Sequence, residues 1–320
     1  MKKRKLVITH ELDSTYQDKI QKIVPDWEII AGRDSSVWGP HIKEAEIIGG
    51  WKKEVKALCI DEEAELKWLQ SWSAGVNSFP LAEFAEKEII LTSANGVHAY
   101  PISETIFALM LGLTRKIHTY VRNQQTKKWH HGGLKLEMHE KTVGIVGVGA
   151  IGKETAKIAQ AFGMNVLGVR HSGASCEFVD KMYTPSQLSE VLPLCDYVVN
   201  TLPATKETYQ MFGAEQFNQM KTTSFFINIG RGDTVVEKEL IDALKTEKIA
   251  GAGLDVFETE PLNTESPLWD FENVIITPHT SGSTENYDKR VIEDIFIPNL
   301  KNYIEGKKPL INKVDYHKGY

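Results

Sequence analysis

An apolar, largely β-branched run, Thr142-Val143-Gly144-Ile145-Val146, turns into Gly147-Val148-Gly149-Ala150-Ile151-Gly152 and then at once into Lys153-Glu154-Thr155-Ala156-Lys157-Ile158-Ala159. No other feature constrains the fold as strongly, because it spells a strand, a glycine turn and a helix start in that order. A G-x-G-x-x-G in this setting fits a dinucleotide pyrophosphate. Gly147 permits the tight turn, Gly149 lets backbone close on the phosphates, and Gly152 lets helix and strand pack closely. The helix start at Ala150 and Ile151 offers unpaired N–H groups and a positive dipole end to the anion.

The next strand selects the dinucleotide. Met164-Asn165-Val166-Leu167-Gly168-Val169 reads as that strand, and an NAD site would place an acidic residue about 20 residues beyond the glycines to take the ribose 2′-hydroxyl. This chain has Arg170 there, followed by His171, Ser172 and Gly173. A guanidinium, an imidazole and a hydroxyl suit a 2′-phosphate that a carboxylate would repel. The expected cofactor is therefore NADP, with NAD as the alternative if Arg170 is a solvated surface residue and backbone holds the 2′-hydroxyl.

A chain of 320 residues, 42% of them hydrophobic, can bury one large core or two medium ones, and its length favours two domains. The net charge of −6 leaves no basic field for nucleic acid, and the short run Lys2-Lys3-Arg4-Lys5 reads as a solvated terminus. Cys59, Cys176 and Cys195 lack C-x-x-C spacing, which predicts reduced thiols in a cytoplasmic protein and no zinc or other metal site. The longest apolar stretch, Ile106 to Leu113, is too short to span a bilayer, and the N-terminus has no apolar leader core, so neither membrane insertion nor secretion is expected.

The first hundred residues alternate short strands, near 6–9, 27–31, 47–50, 69–73 and 89–92, with charged helical stretches. A long helical pattern then begins near Ser103-Glu104 and runs towards Gln125. It is apolar on several sides, which predicts packing against its own domain and against a second subunit. From Thr142 strands at 142–147, 164–169, 197–202, 224–229, 251–255 and 274–277 alternate with helices, the rhythm of a doubly wound parallel sheet, and a helical stretch from Glu285 to Glu305 closes the chain.

Three charged residues follow strands of the second sheet, at the carboxyl edge where open α/β sheets bind ligands. Arg231 follows Phe225-Phe226-Ile227-Asn228-Ile229-Gly230, where a guanidinium could clamp a carboxylate and polarise a neighbouring carbonyl. His279 follows Val274-Ile275-Ile276-Thr277-Pro278 and can exchange a proton with an alcohol or ketone. Glu260 lies just beyond Leu254-Asp255-Val256-Phe257, and a carboxylate bonded to the imidazole would fix its tautomer.

With these residues in hand, the chain resembles the D-isomer-specific 2-hydroxyacid dehydrogenases, nearest the glyoxylate/hydroxypyruvate reductase branch. The resemblance runs through Ser73-Ala74-Gly75-Val76-Asn77, Glu104, Trp129, the glycine turn, Leu202-Pro203-Ala204-Thr205-Lys206-Glu207-Thr208, Ile227-Asn228-Ile229-Gly230-Arg231-Gly232, the segment from Gly251 to Leu262, and Thr277-Pro278-His279-Thr280-Ser281-Gly282. It implies that Arg231 orients a 2-oxoacid, that His279 is the acid/base with Glu260 as its partner, and that the Gly75 and Val76 amides hold the substrate carboxylate. It also implies that Leu202, Pro203, Thr208, the backbone at Ile229, Asp255, Ser281 and Gly282 line the cofactor. Two doubly wound α/β domains follow from it: a Rossmann-type NAD(P) domain over 99–283 inserted in a flavodoxin-like substrate domain built from 1–98 and 284–320. Active sites would lie in the cleft between the domains of a homodimer.

Two positions depart from the family pattern: Asn77 stands where Asp is common, and Arg170 replaces the acidic residue. Trp51, just after Ile47-Ile48-Gly49-Gly50, either walls the substrate pocket or packs in the core. The expected reaction is reduction of a small 2-oxoacid to a D-2-hydroxy acid. Two rival readings are phosphoglycerate dehydrogenase, disfavoured by Arg170 and the lack of a C-terminal regulatory extension, and a cofactor-sensing interaction protein on the same fold.

Overall fold

The computed structural model describes residues 2–76 and 78–316. The chain divides into two compact units, residues 1–97 with 285–320, and residues 98–284. Each is an α/β structure around one parallel sheet.

In the first unit the strands are β1 (Lys5–Ile8), β2 (Glu28–Ala31), β3 (Ala45–Gly49), β4 (Trp68–Gln70) and β5 (Ile90–Thr92). Their order is β2-β1-β3-β4-β5, with every pair parallel. Leu6, Val7, Ile8, Ile47, Ile48 and Leu69 are fully buried, as expected of strands covered on both faces. The chain's return from 285 completes this unit. Val291, Ile292, Ile295, Phe296 and Leu300 join Leu6, Ile8, Trp68 and Trp72 in one core, and Val314 N–H bonds Leu91 O at 2.9 Å.

The second unit holds β6 (Thr142–Val146), β7 (Asn165–Val169), β8 (Lys181–Tyr183), β9 (Tyr197–Asn200), β10 (Phe225–Asn228), β11 (Gly251–Leu254) and β12 (Val274–Ile276). The order β12-β11-β10-β9-β6-β7-β8 is parallel throughout and reverses direction of winding between β6 and β9. The doubly wound architecture is thus present in both sheets. The three-residue strand β8 escapes a reading of the sequence because it has no run long enough to show a period.

The long helical pattern differs from expectation. It is two helices, Ala99–Thr114 and Ile117–Gln125, separated at Lys116, which adopts φ +55°. The first begins before Ser103 because Pro101 sits in its opening turn, where a missing N–H costs nothing. Its many apolar sides are consumed within its own unit: Ile106, Leu109, Met110 and Leu113 pack with Val143, Ile145, Val199 and Ile227. Exposed apolar side chains lie further along, at Ile117, Val121, Leu136 and above all Trp129, which is 102% exposed. Among the described residues no helix is long and apolar enough to cross a membrane.

All three cysteines are free thiols. Cys59 and Cys195 are buried, and burial pushes both up to about 12, whereas Cys176 is partly open. The native protein should therefore take up one equivalent of a thiol-directed reagent near pH 8, at Cys176, against three in denaturant, as counted by mass spectrometry. Modification of Cys59 or Cys195 in the native state would contradict this packing.

Candidate active site

The glycine turn lies where the second sheet reverses, at the end of β6. Gly147 has φ +106°, and a Cβ there would meet Thr201 Oγ1 at 2.8 Å. The Thr201 hydroxyl instead donates to Gly147 O at 2.6 Å, tying the turn to the end of β9. A Cβ on Gly152 would stand 2.7 Å from Gly147 O, so this residue lets the helix start sit on the strand end. Gly149 differs: nothing lies within 4 Å of the position its Cβ would take, and it is exposed. The helix Ala150–Ala161 has no side-chain cap, which leaves the N–H groups around Ala150 and Ile151 for an outside acceptor. This open cradle at an uncapped helix end fits a pyrophosphate.

Arg170 ends β7. Its backbone N–H bonds Tyr183 O at 3.0 Å, and among the described residues no hydrogen bond or ion pair engages its guanidinium. His171 and Ser172 beside it are exposed. On the other side of the reversal, the Thr208 hydroxyl donates to Pro203 O at 2.6 Å and closes the Leu202–Thr208 turn.

A buried polar network that the sequence did not disclose joins the loops after β9 and β10. Asn200, Asn228 and Thr234 are at most 2% exposed. Asn200 Nδ2 donates to Asn228 Oδ1 at 3.0 Å and to Thr234 Oγ1 at 2.7 Å. The remaining atoms hold backbone: Asn200 Oδ1 accepts from Leu202 N–H, Asn228 Oδ1 from Gly230 N–H, and the Thr234 hydroxyl donates to Arg231 O. Both the loop of Leu202 and the loop of Arg231 are set by this one cluster, with Ile229 buried beside it. Arg231 itself is exposed, its Nη1 donating to Gly230 O at 2.7 Å. A Cβ on Gly232 would strike Phe257 O, so Gly232 allows backbone contact with the loop after β11.

That loop carries Glu260, which meets His279 from the loop after β12. Glu260 Oε2 lies 2.7 Å from His279 Nδ1, while its Oε1 accepts from Phe257 N–H at 3.0 Å. The carboxylate fixes the proton on Nδ1 and leaves Nε2 to exchange one. His279 has φ +53°, a conformation that needs outside support in a residue with a Cβ. Asp255 supplies it. Its carboxylate, fully buried, accepts from the Thr277 hydroxyl at 2.6 Å, Thr280 N–H at 3.0 Å and Ser281 N–H at 3.2 Å, and its carbonyl accepts His279 N–H at 2.9 Å. Gly282 O bonds His98 Nδ1 at 2.9 Å, fixing the far end of the turn. Sequence reading singled out Asp255 only as a cofactor contact; its hydrogen bonds make it the brace of the His279 turn.

Gly75, Val76 and Trp51 belong to the first unit. Gly75 is exposed with open space at its Cα, whereas the Val76 side chain is buried and anchors the loop. Trp51 stacks on Phe79 at 4.4 Å and meets Phe84 edge-on at 6.0 Å. Asn77 lies outside the described residues.

An open phosphate cradle at the reversal of a parallel sheet, with an imidazole–carboxylate pair at neighbouring strand ends, defines a nicotinamide-dependent oxidoreductase. The model of the D-isomer specific 2-hydroxyacid dehydrogenase NAD-binding domain matches residues 107–281, and the chain belongs to that family of NAD(P)-dependent enzymes. Relatives include glyoxylate/hydroxypyruvate reductase B of Escherichia coli, 34% identical over 271 residues, covering 82% of this chain and 83% of the relative. The probable 2-ketogluconate reductase of Dictyostelium discoideum is 35% identical over 210 residues, 64% of this chain, and the match spans 62% of that protein. Among solved structures, the NADPH-dependent glyoxylate/hydroxypyruvate reductase of Sinorhizobium meliloti, in complex with NADP and sulfate, superposes with a TM-score of 0.78 at 27% identity, covering 99% of this chain and 100% of that one.

Glu237 was also missed. Its Oε2 accepts Glu258 N–H at 3.1 Å and so braces the loop that carries Glu260. Burial, with the Glu258 charge adding to it, raises the Glu237 carboxyl above the usual range against the pull of that hydrogen bond. Such a group costs the native state nothing at low pH, where folded and unfolded chains are both protonated, and its full amount above the folded pKa. Glu237→Gln keeps an acceptor and removes the ionisation. Its melting temperature relative to the parent should rise between about pH 4 and pH 8, and a pH-independent difference would contradict the assignment.

Proposed function

We propose that this protein is an NADPH-preferring reductase that converts a small 2-oxoacid of the glyoxylate or hydroxypyruvate type into a D-2-hydroxy acid. The observation that carries the reading is the 2.7 Å Glu260–His279 pair in a chain of this family. The E. coli and S. meliloti relatives are named for glyoxylate and hydroxypyruvate, which supports the substrate class. Arg170, with its unengaged guanidinium where a carboxylate would mark NAD, supports the cofactor preference, as does the S. meliloti structure with NADP.

When bound, the nicotinamide supplies a hydride to the keto carbon. The chain does the rest. Gly147, Gly149, Ala150, Ile151 and Gly152 take the pyrophosphate, Arg170, His171 and Ser172 the 2′-phosphate, and Leu202, Pro203, Thr208, Ile229, Ser281 and Gly282 the remainder. Arg231 engages the substrate carboxylate and polarises the carbonyl beside it. His279 Nε2 hands its proton to the keto oxygen as charge develops there, while Glu260 keeps the other proton on Nδ1. Residues 98–284 act as the cofactor domain, and the first unit acts as the substrate domain through the Gly75 and Val76 amides. The exposed Ile117, Val121 and Trp129 support a homodimer, and three free thiols support a cytoplasmic setting.

With glyoxylate or hydroxypyruvate, kcat/KM for NADPH should exceed that for NADH by about tenfold or more, and Arg170→Asp should narrow or reverse the gap. Equal use of both cofactors by the parent would contradict the preference. Arg231→Ala should raise KM for the 2-oxoacid and also lower kcat, because one guanidinium serves both binding and carbonyl polarisation. Intact reduction by Arg231→Ala would remove that residue from the mechanism.

A further inference from the structure

The first sheet also reverses, between β1 and β3, and a ligand of such a sheet sits outside the carboxyl ends of its strands at that point. His10 stands just beyond the end of β1, and Gly50 and Trp51 just beyond the end of β3. Next in order, β4 runs out into Ser71, Trp72 and the loop of Gly75 and Val76, with Gly50 N–H bonding Gln70 O at 2.7 Å. His10 therefore places an imidazole at the reversal itself, on the strand edge that leads into the loop of Gly75 and Val76.

The imidazole is held there by contacts on three sides. It stacks on Trp72, with ring centroids 5.2 Å apart and planes 17° from parallel. Trp72 is pinned in turn: its Nε1 donates to Asp288 Oδ1 at 3.0 Å, and its carbonyl accepts the Tyr287 hydroxyl at 2.8 Å. Gly50, at φ +96°, leaves the room the ring occupies, since a Cβ there would stand 2.6 Å from His10 Nδ1. Nδ1 lies 3.5 Å from Thr9 Oγ1, the outer limit of a hydrogen bond, and Nε2 has no hydrogen-bond partner among the described residues. A half-buried imidazole placed this firmly, with one long contact at Nδ1 and Nε2 unpartnered among the described residues, can offer a hydrogen bond to a ligand.

We propose that His10 is a specificity-determining residue that hydrogen-bonds a hydroxyl on the carbon next to the keto group, so that the enzyme prefers 3-hydroxylated 2-oxoacids over their unsubstituted counterparts. The proposal rests on the reading of the first unit as the substrate domain. Burial moves the His10 imidazole below the usual histidine range, and Lys52 and Arg33 act in the same direction, against Asp288. Near neutral pH the ring is uncharged, with one nitrogen to donate and one to accept, which matches a hydroxyl and offers nothing special to a second anion. A pocket that hydrogen-bonds a substrate hydroxyl discriminates against the analogue lacking it, because the site's own polar group is then left unpaired.

Hydroxypyruvate and pyruvate differ by that one hydroxyl. Their kcat/KM values should be measured with NADPH, alongside glyoxylate, for the parent, His10→Phe and His10→Gln. Phenylalanine keeps the stack on Trp72 and removes the hydrogen bond; glutamine keeps a donor and an acceptor and removes the ring. The hydroxypyruvate-to-pyruvate ratio should fall about tenfold in His10→Phe and by less in His10→Gln. Because both substrates meet the same enzyme, the ratio does not depend on how much of a variant is folded. A parent that reduces these acids with a ratio His10→Phe leaves unmoved overturns the assignment of His10 alone, whereas a parent that reduces none of them overturns the 2-oxoacid reading with it.

Discussion

The buried carboxylate of Asp255 is the interaction on which the placement of His279 against Glu260, the proposed acid/base pair, depends. A fully buried carboxylate is tolerated only when its oxygens are satisfied, and here a hydroxyl and two backbone N–H groups, all from residues 277–281, satisfy them. Those bonds wind the chain after β12 around one side chain at the end of β11. His279 is carried to φ +53° in the middle of that turn, and the bond from its N–H to Asp255 O completes the loop. Only with the backbone so held can Nδ1 reach Glu260 at 2.7 Å and leave Nε2 for chemistry.

Polar networks of this kind repeat around the second sheet. Asn200, Asn228 and Thr234 do for the loops of Leu202 and Arg231 what Asp255 does for His279: they bond to one another through Asn200 Nδ2 and each also holds a backbone group of one of those loops. Glu237 does the same for the loop before Glu260. The exposed groups proposed to meet ligand are therefore placed by polar atoms one layer beneath them, a rigidity that loops rarely have unaided.

How far the sequence foretold this depends on the range of the signal. The glycine turn was legible because each glycine answers a local demand, a positive φ at Gly147 and a close approach at Gly152. The parallel strands were legible because burial on both faces demands apolar runs. The pairing of Glu260 with His279 was read from their places after neighbouring strands and was implied again by the resemblance, not from any spacing, since 19 residues of chain separate them. What stayed hidden is mostly tertiary. Nothing local marks Asn228 or Thr234 as buried network members, or Asp255 as a brace, because their partners come from other strand ends. The break at Lys116 was hidden for a different reason: a lysine at φ +55° carries no glycine-like signal, and the apolar pattern continues across it.

Asp255 acts through His279 in the proposed mechanism, and a double-mutant cycle tests that directly. In Asp255→Asn an amide N–H₂ can turn towards the Ser281 N–H, setting donor against donor at one corner of the turn, while size and packing are kept. The kcat for glyoxylate reduction should be measured for Asp255→Asn, His279→Ala and the pair, with His279→Ala expected to lose on the order of 10²–10⁴. If Asp255 works by holding His279, the losses do not multiply, and the double variant is no slower than His279→Ala within about threefold. An Asp255→Asn enzyme as fast as the parent, or a double variant whose loss is the product of the two singles, would contradict the account.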